Sequence, residues 1–146
     1  MQGELVPLDH TLVRYCTKVS LSESGAPGAA SFARKVTHTY LSVNDADLTV
    51  GASLRERAAA SKALIQLEMN PNGLLAAIPV QSVTTIEQRV MTVSYEPSLP
   101  TLKRAANPFH CGIFNVPDEE ELKLGNNSVL LSLATAVIDS WRVGSL

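Results

Sequence analysis

Three short segments carry the residue types from which a chemical site can be built. Asp9-His10 with Arg14-Tyr15 sets an imidazole and a guanidinium four residues apart. They would serve as an acid–base group and an anion clamp if the chain turns them toward one place. Ser42-Val43-Asn44-Asp45 offers short polar side chains at what reads as a strand end, where they either face a pocket or bond their own backbone in an Asx-turn. Asn107-Pro108-Phe109-His110-Cys111-Gly112 puts a proline ahead of an extended stretch and a glycine that permits close backbone approach. His10, Arg14 and His110 are the catalytic candidates; Arg14, Ser42, Asn44 and His110 are the ligand-binding candidates. Each also has a plainer reading: Arg14 as a surface charge, Asn44 as a turn residue, His110 as a satisfied loop histidine.

The two cysteines add little chemistry. His110 and Cys111 are adjacent and point to opposite faces of a strand, so they cannot form a thiolate–imidazole pair with each other. Cys16 and Cys111 are too few for a disulfide framework and read as free, inert thiols. A metal set drawn from His10, Cys16, His38, His110 and Cys111 lacks the short ligand spacing that marks zinc sites, so neither a metal nor a cofactor is expected. The phosphate loop, the dinucleotide glycine fingerprint, His-Glu-x-x-His and Cys-x-x-Cys are all missing.

The elements that would position these residues follow from periodicity. Strands are expected over residues 12–19, 39–43, 74–80, 90–95 and 111–116. In the fourth of these, Met91, Val93 and Tyr95 share one face. Asn44-Asp45 reads as a turn after the second strand. Ser53-Leu54-Arg55-Glu56 is a capping signal that starts a helix running to about Met69, where Asn70-Pro71-Asn72-Gly73 stops it. Residues 81–89 are ambiguous between a short helical turn and an extended connection. The acidic run 118–121 suits a helix N-terminus. A last helix is expected from Asn127 or Ser128, with Leu130, Leu133, Ala134, Val137, Ile138 and Trp141 on one stripe. The expectation is a single α+β domain over residues 1–146: a mainly antiparallel sheet of about four to five strands with two principal helices, most simply packed on one of its faces.

Composition narrows the function classes. A chain of 146 residues with 45% hydrophobic and 18% charged residues is of a size and balance to fold as one domain without staples. Its net charge of −2, and the scatter of Arg34-Lys35, Arg55 with Arg57, and Lys103-Arg104, disfavour nucleic acid as the partner. The longest apolar run, 74–80, is far shorter than a membrane span, and the opening residues resemble no secretory signal. A cytoplasmic location and no membrane association are expected.

The segments Asp9-His10 with Val13-Arg14-Tyr15, Tyr40-Leu41-Ser42-Val43-Asn44 and Pro108-Phe109-His110-Cys111-Gly112-Ile113 resemble those of a group of small uncharacterised bacterial proteins. That group shares a His…Arg-Tyr opening, a Leu-Ser-Val-Asn segment and a late His-x-Gly-Ile; Asp45 stands where it would carry an aromatic residue. The resemblance implies that the three segments converge, but it supplies no reaction, and whether the chain is an enzyme stays open. The first expectation is a soluble protein-interaction or regulatory accessory module of a bacterial assembly, with another protein as partner and homo-oligomerisation open. The alternative is a small enzyme or ligand-binding protein whose His/Arg/Ser/Asn site acts on a phosphate- or nucleotide-containing ligand.

Overall fold

Six strands form one antiparallel sheet in the computed structural model, which describes residues 1–65, 68–102 and 105–146. The strands are β1 (Thr11–Cys16), β2 (Tyr40–Asp45), β3 (Leu74–Pro79), β4 (Thr92–Tyr95), β5 (His110–Phe114) and β6 (Asp139–Arg142), in the spatial order β4-β5-β2-β1-β3-β6. The helices are α1 (Leu54–Ile65), α2 (Val80–Thr84), α3 (Glu119–Lys123) and α4 (Ser128–Thr135). The Lys103-Arg104 pair and positions 66–67 of the expected first long helix lie outside the described residues.

The expected α+β class holds, with two corrections. The strand count is six rather than four to five, because residues expected to finish the last helix instead form β6 and pair with β3, from Leu74↔Arg142 to Ala77↔Asp139. The helix pattern through Trp141 loses to the unpaired ladder that β3 would otherwise present. The second correction concerns layers. β3 is buried from Leu74 through Ile78, the continuous apolar run of a strand covered on both faces. Consecutive residues enter different clusters. Leu12, Leu41, Val43, Val93 and Ile113 pack with Phe32 and with Leu130 and Leu133 of α4, whereas Val13 and Leu75 pack with Ala58 of α1. Side chains alternate across a strand, so α4 and α1 cover opposite faces instead of sharing one.

The capping signal works much as its residues suggest. Ser53 Oγ accepts from Glu56 N at 3.1 Å, while the Glu56 carboxylate reaches past Ser53 to Ala52 N at 2.8 Å. The outer edge of β4 is not left bare. Val6 N donates to Val93 O at 2.9 Å and Gly3 N to Tyr95 O at 2.8 Å, so the N-terminal segment shields a ladder that would otherwise invite pairing with another chain. Among the described residues, no helix is long and apolar enough to cross a membrane.

One irregularity in the sheet creates the site. β1 pairs with β3 along its whole length, from Thr11↔Pro79 to Cys16↔Leu74, and β2 with β5 from Tyr40↔Phe114 to Asn44↔His110. Between themselves β1 and β2 pair only at Leu12↔Asp45 and Val13↔Asn44. Beyond Val13 the two central strands part, and the middle of the sheet opens.

Candidate functional site

A strand split leaves backbone carbonyls without ladder partners, and these must find donors. Arg14 supplies them: its Nε donates to Ser31 O at 3.0 Å and its Nη1 to Ser42 O at 2.8 Å. The guanidinium thus bridges the 3-10 turn Ala29–Phe32 and the parted edge of β2. Both acceptors are neutral, and among the described residues no carboxylate pairs with Arg14. Burial in the split lowers its pKa from the ordinary guanidinium value, and the nearby Cys16 thiol partly offsets that effect. Arginine nevertheless stays charged, so the split holds a cation without a counterion.

Around it lies a cavity of about 630 Å³, within the range of small-molecule sites. The sequence candidates Arg14, Ser42, Asn44 and His110 all line it, along with Tyr15, Tyr40 and Asn107. Register explains the gathering. Val13↔Asn44 and Asn44↔His110 form one row across β1, β2 and β5, putting three sequence-distant segments side by side. Asn44 is buried and belongs to β2, which corrects its reading as a turn residue. Its amide pairs with that of Asn107, Asn107 Nδ2 donating to Asn44 Oδ1 at 3.0 Å. His110 Nδ1 lies 2.6 Å from Glu96 O. A carbonyl can only accept, so Nδ1 carries the proton, and in the neutral ring Nε2 is left as an acceptor.

Tyr40 forms the floor beside His110. Its ring is tilted against His110 at 5.8 Å and against Phe114 at 5.2 Å. Between those two residues stands Gly112, where an added Cβ would come within 2.6 Å of Tyr40 Cγ. Glycine there lets the aromatic ring lie on the backbone of β5. Burial, with the Glu96 charge nearby, raises the Tyr40 phenol, which therefore remains a donor at neutral pH.

His10, the remaining catalytic candidate, is not among the residues that line the cavity. Its Nδ1 lies 2.7 Å from Asp45 Oδ2, and the Tyr95 hydroxyl donates to the same oxygen at 2.6 Å. Asp45 Oδ1 accepts from Asp47 N at 3.0 Å, capping the 3-10 turn Ala46–Leu48. Asp45 is completely buried and was not among the sequence candidates. The ligand atoms of His10, Asp45 and Asp47 lie within 4.8 Å of one another, a grouping that spacing in the chain could not reveal. Its oxygens are already engaged, however: Asp47 Oδ1 also pairs with Arg57 Nη1 at 3.3 Å. A cation would have to displace Tyr95, His10 and Arg57 from these carboxylates. The cluster acts as a buried polar brace that joins β1, β2 and β4.

Comparison with protein-family models, curated proteins and solved structures found no match.

Both thiols are free and buried, Cys111 in the cluster with Leu133 and Cys16 in a smaller one with Leu74 and Ala76. Burial raises both: Cys111 is pushed up to about 12, helped by the Asp45 charge, and Cys16 is raised against the opposing pull of Arg14. A protonated, inaccessible thiol is a poor nucleophile, so iodoacetamide should label neither appreciably in the folded state at neutral pH. The same shifts set an alkaline limit. A group whose folded pKa is raised contributes stability that is fully present below its unfolded value, about 8.5 for a thiol. That contribution is lost as pH rises toward the folded value, about 12 for Cys111. The urea midpoint should hold through neutral pH and fall above about pH 8.5, and Cys111→Ala should flatten the first part of that fall. A midpoint with the same alkaline slope in the variant would show that the thiol does not contribute.

Proposed function

We propose that this chain is a cytoplasmic binding domain that holds a small anionic molecule, containing a phosphate or a nucleotide, in the split between β1 and β2. The observation that carries this reading is Arg14, a guanidinium enclosed in the central split, bonded among the described residues only to the neutral carbonyls of Ser31 and Ser42 and bordering a cavity of about 630 Å³. A desolvated cation without a counterion gains most from an anion that accepts its remaining N–H groups, and a phosphate oxygen is well matched to that fork. Lys35 and His38 also border the cavity, and Glu119 is its only acidic neighbour among the described residues. The cleft is therefore a positive spot on a chain of net charge −2. Ser42, Asn44 and His110 supply the convergent polar groups that would fix a ligand's orientation.

Calorimetric titration with inorganic phosphate and with adenosine monophosphate tests the reading. The unaltered protein should bind at least one of them, and Arg14→Met should reduce that affinity at least tenfold. Met keeps the unbranched stem that fills the split, but the loss of two charge-assisted hydrogen bonds should cost about 3–6 kcal/mol of stability, so the variant is titrated under conditions where its urea transition shows it folded. Undiminished binding by the Met variant, or no binding of either anion by the unaltered protein, would refute the proposal.

The accessory-module reading draws on a different feature. Leu99 borders the cavity and is 82% exposed, and Leu102 on the same loop is fully exposed. Apolar side chains set in water beside a cleft are where a protein partner in a bacterial assembly, or a second copy, would gain contact area. Co-purification of the untagged protein from its source separates the two: a stoichiometric protein companion supports the module, a bound small molecule the ligand domain.

A further inference from the structure

We propose that the occupant of the cleft carries two features: an anionic group for Arg14 and, at its other end, an N–H or O–H donor for Nε2 of His110. This deepens the ligand-binding reading and rests on it. The asymmetry comes from the way His110 is held. Glu96 grips the residue twice, its backbone N donating to His110 O at 2.9 Å and its carbonyl taking the Nδ1 proton at 2.6 Å. That second contact selects the tautomer, because a carbonyl has no proton to give, and it leaves neutral Nε2 as a lone-pair acceptor. The Tyr40 ring, resting on Gly112, limits rotation of the imidazole about its bonds. Among the described residues, Nε2 has no hydrogen-bond partner.

The neighbouring polar groups leave this role to His110. The Asn44 and Asn107 amides face each other, and Asn107 Oδ1 also accepts from Phe109 N at 3.3 Å, so their inner donors and acceptors are used within the pair. Arg14 can only donate. A ligand with acceptors at both ends would satisfy Arg14 and oppose the His110 lone pair, whereas one with a donor at the far end satisfies both. Scale follows from the sheet. Arg14 leaves β1 on the face opposite to Val13, Asn44 and His110 and reaches Ser42 O through the split. β1 and β5 stand two strand spacings apart, about 10 Å between backbones, and Arg14 and His110 border the same cavity, so the occupant is the size of a substituted ring or a short chain rather than of a polymer. Nucleobase-bearing phosphates and hydroxylated or aminated organic anions share this chemistry.

Three probes separate the donor requirement from anion binding: phenyl phosphate, 4-hydroxyphenyl phosphate and 4-methoxyphenyl phosphate, titrated by calorimetry into the 146-residue chain. All three carry the anion; only the second has a donor opposite it. The hydroxyl compound should bind roughly tenfold or more tightly than the methoxy compound, the effect of one satisfied against one opposed hydrogen bond. His110→Phe should erase that difference while still binding phenyl phosphate. Nitrogen-15 spectra of the unaltered protein provide a check that needs no variant, and should show the Nδ1–H tautomer with the Nε2 signal moving on addition of the hydroxyl compound. Equal affinities for the three probes, or an Nε2–H tautomer, would overturn the donor requirement and leave the anion site standing. Failure of every probe to bind would overturn both.

Discussion

Asp45→Ala should cost about 3–5 kcal/mol of folding stability, the effect of removing one partner from a buried charged network. The carboxylate is completely buried and accepts three hydrogen bonds, from His10 Nδ1, Tyr95 Oη and Asp47 N. Truncation leaves the Tyr95 hydroxyl facing an apolar core without an acceptor, removes the cap of the following 3-10 turn, and frees the end of β1 from β2 at the last point where they pair. The adjoining register pairs, Leu12↔Asp45 and Val13↔Asn44, are the only ladder pairs between the two central strands among the described residues. The damage should therefore spread into the cleft. Tyr95→Phe makes a graded companion: it deletes one charge-assisted bond and keeps the carboxylate satisfied by the other two, for about 1.5–3 kcal/mol. A double-mutant cycle in urea should show strong coupling between the two positions, because they share one oxygen. Asp45→Ala with a midpoint close to that of the unaltered protein would mean that the brace is not part of the folded core.

The position of Asp45 was open to reading from the sequence, through strand parity. Leu41, Val43 and Asp45 alternate with Tyr40, Ser42 and Asn44, so the same pattern that sends two aliphatics into the core sends the aspartate after them. Tyr95 follows Met91 and Val93 in the same manner, and all three are buried. Treating Asn44-Asp45 as a turn ended the strand two residues early and hid both the buried acid and the tyrosine that satisfies it. Convergence of Arg14, Ser42, Asn44 and His110 was available only as a conjecture from three short segments. Strand order and register decide it, and neither is written in local periodicity. The partners that hold Arg14 and His110 were beyond reach for a different reason: they are backbone carbonyls of Ser31, Ser42 and Glu96, and a carbonyl looks the same at every residue. The two-layer expectation failed where a signal did exist, since the unbroken run 74–78 already marks a strand covered on both faces.

Leu133→Ala should lower stability by about 2–5 kcal/mol, and the interest lies in where along the last apolar stripe the loss is concentrated. Sequence periodicity spreads the stripe from Leu130 to Trp141, as though one long helix lay on the sheet. The helix stops at Thr135, however, and Trp141 belongs to β6, paired with Leu75. The stripe is thus divided between faces. Leu130 and Leu133 are completely buried in the cluster with Phe32 and Leu12, while Trp141 packs partly buried in the cluster with Val13 and Ala58. A cavity at Leu133 has rigid walls on the sheet side, which favours the upper half of the range. Leu131, on the same helix but 48% exposed, provides the control: Leu131→Ala should stay within about 0.5 kcal/mol. Measured urea midpoints should therefore separate two leucines two residues apart by several-fold in cost. A double variant joining Leu133→Ala with Trp141→Ala should lose the sum of the single losses, because the sheet stands between the two sites and they share no cluster. Equal losses at Leu131 and Leu133 would contradict the packing of α4 on the core face, and strong coupling between Leu133 and Trp141 would instead restore the single continuous helix.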